Sequence, residues 1–312
     1  MAFVILLSGG AFLVLPGLVL RPGRRMAPAR WAWLCVVSLV VGATMVQLTT
    51  LLLAAPTVLH ALGIPALASA CQRLLGSLVP GGALVGWAAA AASVTMPVLA
   101  GRGLAAARRT RRDVEVEAHH GDHRTWNDHD VVLLPTDEVL AVSVGGRHRQ
   151  IIVSRGLVAA LSDAEVEAVL RHEAAHQEQR HQRFLLLATA LERGLPFLPL
   201  LRRSTATLRL ALERWADEEA AGVDPEARRV LHSALLGVTW AVVNPSLAAF
   251  SAAETLIERL RALELAPLQS SPIPRAVLLA PGLALGLLSL SALSIWIGDA
   301  RVLLAMAGRC PI

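Results

Sequence analysis

Four long runs without a charged side chain constrain the fold of this 312-residue chain more than any other feature of its sequence. They cover residues 3–20, 31–55, 81–101 and 276–298. Each is long enough to cross a bilayer core of about 30 Å, which takes about 20 helical residues. Hydrophobic residues make up 54% of the chain, and too little protein remains to bury four such helices away from lipid. The sequence therefore predicts a mainly α-helical integral membrane protein with four transmembrane helices.

Arginine side chains are distributed unevenly among the connections between these runs. Residues 21–30 contain four arginines and residues 102–112 contain five, whereas residues 56–80 contain one. Positively charged loops stay on the cytoplasmic side of a membrane, so we expect residues 102–275 to be cytoplasmic. No positive charge precedes the first run within the chain, so we expect an uncleaved anchor there rather than a signal peptide.

Three regions follow from this topology. Residues 1–112 should hold three transmembrane helices with basic cytoplasmic loops, and residues 113–270 a cytoplasmic domain. Residues 271–312 should hold the fourth helix and a short external tail. Residues 228–250 are also apolar, but Asn244-Pro245 interrupts them. They are interpreted as helices of the cytoplasmic domain that belong to its core or touch the membrane, with a fifth span as the alternative.

The net charge of +5 and the isoelectric point near 10.6 fit a membrane better than a nucleic acid. The arginines flank the apolar runs, where anionic lipid headgroups would meet them. No helix-turn-helix, zinc-finger or stacking-aromatic pattern accompanies them. We therefore expect the lipid bilayer as a partner and no nucleic acid.

Residues 172–176 read His-Glu-Ala-Ala-His, and they supply the chemistry of the chain. Ser162 and Glu165 form a capping-box pattern that starts a helix just before this segment. Two histidines four residues apart lie on one helix face and can share a Zn²⁺ ion. Glu173 can then hold a water molecule as a general base without being a ligand. Two histidines on a solvated helix face are the alternative interpretation, which the capped amphipathic helix disfavours.

A catalytic zinc ion needs a third protein ligand, and Glu213 is the best candidate. Asp217 follows one helical turn later on the same face and can accept the outer N–H of a ligand histidine. An acidic, solvent-facing helix is the alternative interpretation of this segment. His181 is interpreted as a surface residue or a support for a ligand rather than a ligand itself.

The two segments together resemble the gluzincin pattern HExxH…ExxxD, and residues 142–157 resemble the glycine-rich hairpin and strand that precede the active-site helix in those enzymes. The nearest group is the membrane-anchored peptidases related to the BlaR/MecR β-lactam sensor-transducers, and the HtpX and CAAX-prenyl endopeptidases are more distant. The resemblance covers about residues 130–222. It implies an α+β gluzincin (zincin-like) domain inserted between membrane helices three and four, one Zn²⁺ per chain held by His172, His176 and Glu213, and Glu173 as the base.

The resemblance also implies a bacterial, multi-pass inner-membrane zinc endopeptidase that cleaves a protein or peptide substrate at the cytoplasmic membrane face. In the transducer group that substrate is often a transcriptional repressor, which suggests regulatory signalling. The alternatives are a quality-control protease for membrane proteins and a non-enzymatic transducer with a structural zinc.

Two further expectations concern the substrate. The chain contains no tyrosine, so His232 or the Arg228–Arg229 pair is the candidate for stabilising the transition state. Gln150, Ile151, Ile152 and Val153 predict a strand that begins after a turn at Gly145-Gly146. By resemblance to gluzincins this strand is expected at the sheet edge, where a substrate can add as a further strand. An interior strand is the alternative.

Overall fold

The structure, a computed structural model, describes residues 2–19, 26–75, 82–118, 121–144, 150–242 and 248–265. Residues 1–270 form one compact unit and residues 271–312 a second, so all described residues belong to the first. The expected fourth transmembrane helix at 276–298 and the turn at Gly145-Gly146 lie outside the described residues.

The N-terminal third of the chain consists of helices. Their bounds are α1 (Ala2–Val19), α2 (Pro28–Ala61), α3 (Pro65–Leu75) and α4 (Gly82–Ala118). Helices α1, α2 and α4 contain the described residues of the first three apolar runs, and α3 lies in the connection expected to face outward. The predicted boundary between residues 112 and 113 falls inside α4, so the helix continues across it.

Two helices among the described residues, Pro28–Ala61 and Gly82–Asp113, are long and apolar enough to cross a membrane by length and composition. Only 11% of an 18-residue apolar stretch of the second helix is buried by protein. Leu84 and Val94 of this helix are 85% and 62% exposed. Exposed apolar surface on this scale needs a partner other than water. These helices are therefore compatible with membrane anchoring, and the apolar stretch Leu6–Leu18 of α1 is shorter.

A four-stranded sheet follows the apolar helices. Its strands are β1 (Asp122–Trp126), β2 (His129–Leu134), β3 (Ala141–Val144) and β4 (Gln150–Ser154), in the order β1-β2-β4-β3. Strand β4 pairs with β2 in parallel and with β3 antiparallel. The buried faces of the strands pack in part against the helices that follow.

The expectation that Gln150, Ile151, Ile152 and Val153 form an edge strand is wrong. Ile152 pairs with Val132 on one side and with Val142 on the other, so both of its neighbours are strands. The physical reason is burial: Ile151, Ile152 and Val153 are almost fully enclosed, as expected for an interior strand covered on both sides. The edge on this side of the sheet is β3.

Helices form the remainder of the described chain. They are α5 (Arg155–Ala160), α6 (Asp163–Glu178), α7 (His181–Gly194), α8 (Pro199–Ala221), α9 (Pro225–Val242) and α10 (Ala248–Glu264). Asn244-Pro245, which interrupts the apolar stretch, lies between α9 and α10 and outside the described residues.

Helices α7 and α8 share a hydrophobic core with the N-terminal helices. Leu201, Leu208 and Leu212 of α8 are buried in the same cluster as Leu13 of α1 and Leu39 of α2. At the end of this contact, the Arg214 guanidinium lies over the Trp31 ring, 5.9 Å from its centre. The helix that carries Glu213 is therefore packed directly against helices of the apolar N-terminal region.

Candidate metal centre

The start of α6 is fixed by its sequence, as predicted. The Ser162 hydroxyl accepts from the backbone N–H of Glu165, and the Glu165 carboxylate accepts from the backbone N–H of Ser162 at 2.8 Å. This reciprocal capping box satisfies N–H groups that a helix start leaves unpaired. Val166 and Leu170 are buried and hold the helix against the sheet side of the core. His172 and His176 then occupy the last two turns of a well-anchored helix.

The structure brings His172, His176 and Glu213 together. One ligand atom from each residue lies within 4.8 Å of the other two. The two Nε2 atoms are 3.1 Å apart. The Glu213 carboxylate presents Oε2 at 3.6 Å from His172 Nε2 and Oε1 at 3.6 Å from His176 Nε2. Three donor atoms from two separate helices therefore converge on one point. These atoms, Nε2 of His172, Nε2 of His176 and a carboxylate oxygen of Glu213, are called the donor triangle.

These spacings fit a zinc ion. Ligands about 2.0–2.1 Å from a tetrahedral Zn²⁺ lie roughly 3.3 Å from one another, which is inside the observed range of donor separations. Two imidazoles and one carboxylate are also a donor set of catalytic zinc sites. Charge points the same way, since three carboxylates (Glu173, Glu213 and Asp217) face one guanidinium, that of Arg259. The excess of negative charge suits a divalent cation.

Asp217 and Arg259 contact these donor residues on the side away from the donor triangle. Asp217 Oδ1 lies 3.0 Å from His172 Nδ1, the ring nitrogen that faces away from the donor triangle. Arg259, from α10, donates from Nε and Nη2 to both Asp217 oxygens at 2.8 and 2.7 Å. Its Nη1 lies 3.0 Å from Glu213 Oε2. One arginine thus contacts the carboxylate that would bind metal and the carboxylate that lies next to His172 Nδ1.

The electrostatics of His172 follow from these contacts. Burial by itself lowers the pKa of His172, but the neighbouring Asp217 and Glu213 carboxylates outweigh burial and raise that pKa to about 10. Burial would raise the pKa of Glu213, yet His172 and the Arg259 charge hold it well below the usual range. Glu213 is therefore ionised at neutral pH, and a metal ion would have to displace a proton from His172.

His181 plays the corresponding part for His176. Its Nδ1 lies 2.9 Å from His176 Nδ1, and its ring is fully buried beside Trp215. Burial and the neighbouring His176 lower the pKa of His181 to about 3, so the ring is neutral at physiological pH. A neutral ring can accept the Nδ1 proton of His176, which leaves the Nε2 lone pair of His176 facing the donor triangle. This agrees with the interpretation of His181 as a support rather than a ligand.

The donor triangle opens into a cleft of about 600 Å³. Glu173, His176 and Glu213 line one part of it, and Ala141, Val142 and Ser143 of the edge strand β3 line another. Glu173 is only partly buried, next to a ligand candidate, so its carboxylate is available to a water molecule or a substrate in the cleft.

His232, the residue predicted to stabilise the transition state, is placed elsewhere. It lines a different cavity of about 520 Å³ with Arg228, Arg229 and Glu264, and its Nε2 is 3.6 Å from Glu264 Oε1. Arg228 is buried and donates to Glu218. The cleft lining within the described residues includes none of these three basic residues. Their assigned role therefore remains a prediction without support from this geometry.

Comparison with known proteins gives one match. Residues 131–251 match the model of peptidase family M48. No curated protein and no solved structure gave a match to the chain. The matched segment contains His172, Glu173, His176 and Glu213 but ends before Arg259, and its similarity to peptidase family M48 supports a metallopeptidase, a class that in this family generally uses zinc.

Proposed function

We propose that this chain is a membrane-bound, zinc-dependent endopeptidase that cleaves a protein substrate at the cytoplasmic face of a bacterial inner membrane. The observation that carries the proposal is the convergence of His172, His176 and Glu213 within 4.8 Å, with Glu173 in the same cleft. One Zn²⁺ would be held by the first three residues. When bound, it would supply a Lewis acid for the scissile carbonyl and for the attacking water.

The chain's own residues would carry the other steps. The Glu173 carboxylate would accept the proton of the attacking water and return it to the leaving nitrogen. Asp217 and His181, which lie next to the Nδ1 atoms of His172 and His176, would hold these imidazoles with Nε2 toward the metal. The edge strand β3 would hold an extended substrate by backbone hydrogen bonds, the role first assigned to β4.

The register of β3 identifies which of its backbone groups face away from β4, the strand it pairs with among the described residues. Leu140 and Ser154 are hydrogen-bonded across the β3–β4 pair, with Ser154 N–H donating to Leu140 O at 3.0 Å. Along an antiparallel edge strand, every second residue directs its backbone N–H and C=O toward the paired strand, and the residues between them direct theirs away from it. Val142 therefore points its backbone groups toward β4, and Ala141 and Ser143 point theirs outward. Both outward-facing residues line the cleft.

The position of the cleft supports action near the membrane surface. Arg111 lines the cleft and lies on α4, whose uncharged run ends at Gly101. Ten helical residues span about 15 Å, so the cleft lies within roughly that distance of the apolar segment along the helix.

A reporter fused after Arg112 should be cytoplasmic and one inserted near Cys71 should be external. The opposite pattern would reverse the four-span, multi-pass topology that we propose.

Catalysis is tested with purified full-length protein. Wild type and Glu173→Gln should both bind about one zinc ion per chain, whereas only wild type should cleave an unfolded protein such as casein. Glu178→Gln, an exposed change on the same helix, is the matched control and should cleave normally. Equal cleavage by Glu173→Gln would remove the assigned base. Bound zinc with no cleavage by wild type would favour the non-enzymatic transducer with a structural zinc.

The substrate class separates two versions of the proposal. Resemblance to the BlaR/MecR type favours regulatory cleavage of a cytoplasmic repressor, and the alternative is removal of damaged membrane proteins. Comparing cellular proteins between strains that carry wild type or Glu173→Gln should reveal which proteins accumulate. A single transcriptional repressor would support signalling, whereas many misfolded membrane proteins would support quality control.

A further inference from the structure

Three arginines give part of the cleft lining a positive charge, and they are called the wall below. Arg111, Arg180 and Arg183 all line the cleft. They come from the end of α4, the turn after α6 and the first turn of α7. Within the described part of the chain, Arg180 and Arg183 are exposed and form no ion pair with a carboxylate.

The spacing along α6 relates this wall to the scissile bond. His176 and Gln177 follow Glu173 by three and four residues and share one face of α6, and Arg180 follows Glu173 by seven residues, in the turn after that helix. Seven helical residues span about 10 Å, which equals roughly three residues of an extended peptide. A substrate held along the cleft would therefore place a side chain near Arg180 two to four residues from the bond that is cut.

The turn at Arg180 is itself unusual. Its backbone has φ 54° and ψ 38°, the left-handed conformation that glycine or asparagine adopts more easily than arginine. Gln177, one turn earlier, donates to Gln150 O at 2.7 Å and so ties this end of α6 to the sheet. The guanidinium at position 180 is thus carried by a left-handed turn between α6, which contacts β4 through Gln177, and the start of α7.

Apolar surface adjoins the charged wall. Leu185 and Leu186 of α7 line the same cleft and are partly buried. Arg111 donates to the Gln182 side chain, so the two helices that carry the wall are linked. The wall therefore offers cationic groups and a neighbouring apolar contact, which together suit a peptide with an acidic side chain next to an aliphatic one.

We propose that this arginine wall, defined as Arg111, Arg180 and Arg183, selects substrates with an aspartate or glutamate two to four residues from the cleaved bond. The inference rests on the proposed peptidase function and names the substrate class of that site. An anionic lipid headgroup has similar charge, but the wall lines the same cleft as the outward-facing backbone of β3, where a peptide would lie. A peptide carboxylate therefore meets the wall while its backbone pairs with the strand.

Binding tests the inference without requiring turnover. Full-length Glu173→Gln protein in uncharged-lipid nanodiscs is titrated with a fluorescent decapeptide of glutamate and leucine, and with its glutamine counterpart. We expect about tenfold tighter binding of the acidic peptide at low salt, from two to three partly exposed charge pairs. Arg180→Ala/Arg183→Ala should abolish the preference, and Arg124→Ala/Arg261→Ala, with two exposed arginines outside the cleft, should retain it. Equal binding of both peptides, or a preference that survives Arg180→Ala/Arg183→Ala, would overturn the proposal.

Cleavage gives the second measurement. A mixed peptide library is digested by wild type, and acidic residues should be enriched at one position two to four residues from the cut. Arg180→Glu/Arg183→Glu should shift the enrichment toward arginine and lysine while retaining zinc. If neither wild type nor any variant cleaves the library, the peptidase proposal fails. The binding preference of the two peptides still decides the role of the wall. If the alanine changes weaken binding to anionic nanodiscs but leave peptide preference intact, the wall recognises lipid and the proposal is wrong.

Discussion

Arg259 binds both oxygens of the Asp217 carboxylate, through Nε at 2.8 Å and Nη2 at 2.7 Å. Asp217 is almost fully buried, so this two-point contact supplies most of the compensation for its charge. Because Arg259 also contacts Glu213, it couples the position of a ligand candidate to that of the carboxylate behind His172. A single arginine therefore fixes the relative placement of α8 and α10 at the donor set.

Removing this guanidinium should damage both folding and metal binding. Arg259→Ala leaves the buried Asp217 carboxylate without its guanidinium partner, and we expect a loss of about 3 kcal/mol in the free energy of unfolding. Arg259→Lys retains the charge but not the two-point geometry, so it should fall between wild type and Arg259→Ala. Thermal unfolding and zinc competition measure the two effects. Arg261→Ala, an exposed change on the same helix, is the control. If Arg259→Ala and Arg261→Ala had the same stability and zinc affinity, the assigned contact would be contradicted.

Asp217→Asn tests the orientation of His172. The amide has the shape of the carboxylate but accepts the outer N–H of the imidazole more weakly, so zinc affinity should fall by about 10- to 100-fold. Competition with a chromogenic chelator measures this affinity. Glu219→Gln, two residues further on an exposed part of α8, should bind zinc as wild type does. Unchanged affinity in Asp217→Asn would mean that the carboxylate is not needed to orient the ring.

Proline substitutions distinguish the two faces of the edge strand. Ser143→Pro removes a backbone donor that points away from β4, so it should raise the KM for a protein substrate while leaving zinc binding intact. Val142→Pro removes a donor that pairs with β4 and should instead lower thermal stability. Matching effects of the two changes on stability and KM would contradict the register of β3 described here.

Acid should remove one stabilising contact between α7 and α8. Burial by itself raises the pKa of Glu192, but hydrogen bonds from Arg209 and Thr205 outweigh it and lower the pKa below its ordinary value of 4.5. A lowered folded-state pKa contributes stability above pH 4.5, which is lost as the pH falls through the folded-state value. Glu192→Gln should therefore cost up to about 1 kcal/mol near neutral pH and nothing in strong acid. Melting curves at both pH values, with Glu178→Gln as control, measure the difference.

The helix geometry around the candidate site follows from short-range sequence patterns. The capping box at Ser162 and the spacing of His172 and His176 are properties of one continuous helix, and such properties follow from short-range rules. Glu213 could be proposed because its own helix also carries Asp217 at the matching interval. These residues lie where local geometry alone decides which side chains share a face.

Long-range contacts could not be predicted in the same way. Arg259 lies 42 residues beyond Asp217, in a helix with several other charged residues, and no spacing rule distinguishes it from Arg261. The alternation of apolar residues in β4 indicated a strand but not the number of its neighbours, because a parallel partner from β2 arrives from a distant part of the chain. His232 has the residue type expected of a stabilising group, and only the fold shows that another cavity contains it.

The shared core of α8 with α1 and α2 has a consequence for any attempt to isolate the metal-binding half. A fragment beginning after α4 would carry Leu201, Leu208 and Leu212 without Leu13, Trp31 and Leu39 to cover them. Those leucines precede Glu213 on one continuous helix, so the uncovered surface would adjoin the donor set itself. Such a fragment should aggregate or require detergent to stay in solution. If a protease instead cuts the full-length chain between α4 and β1, the two pieces should purify together.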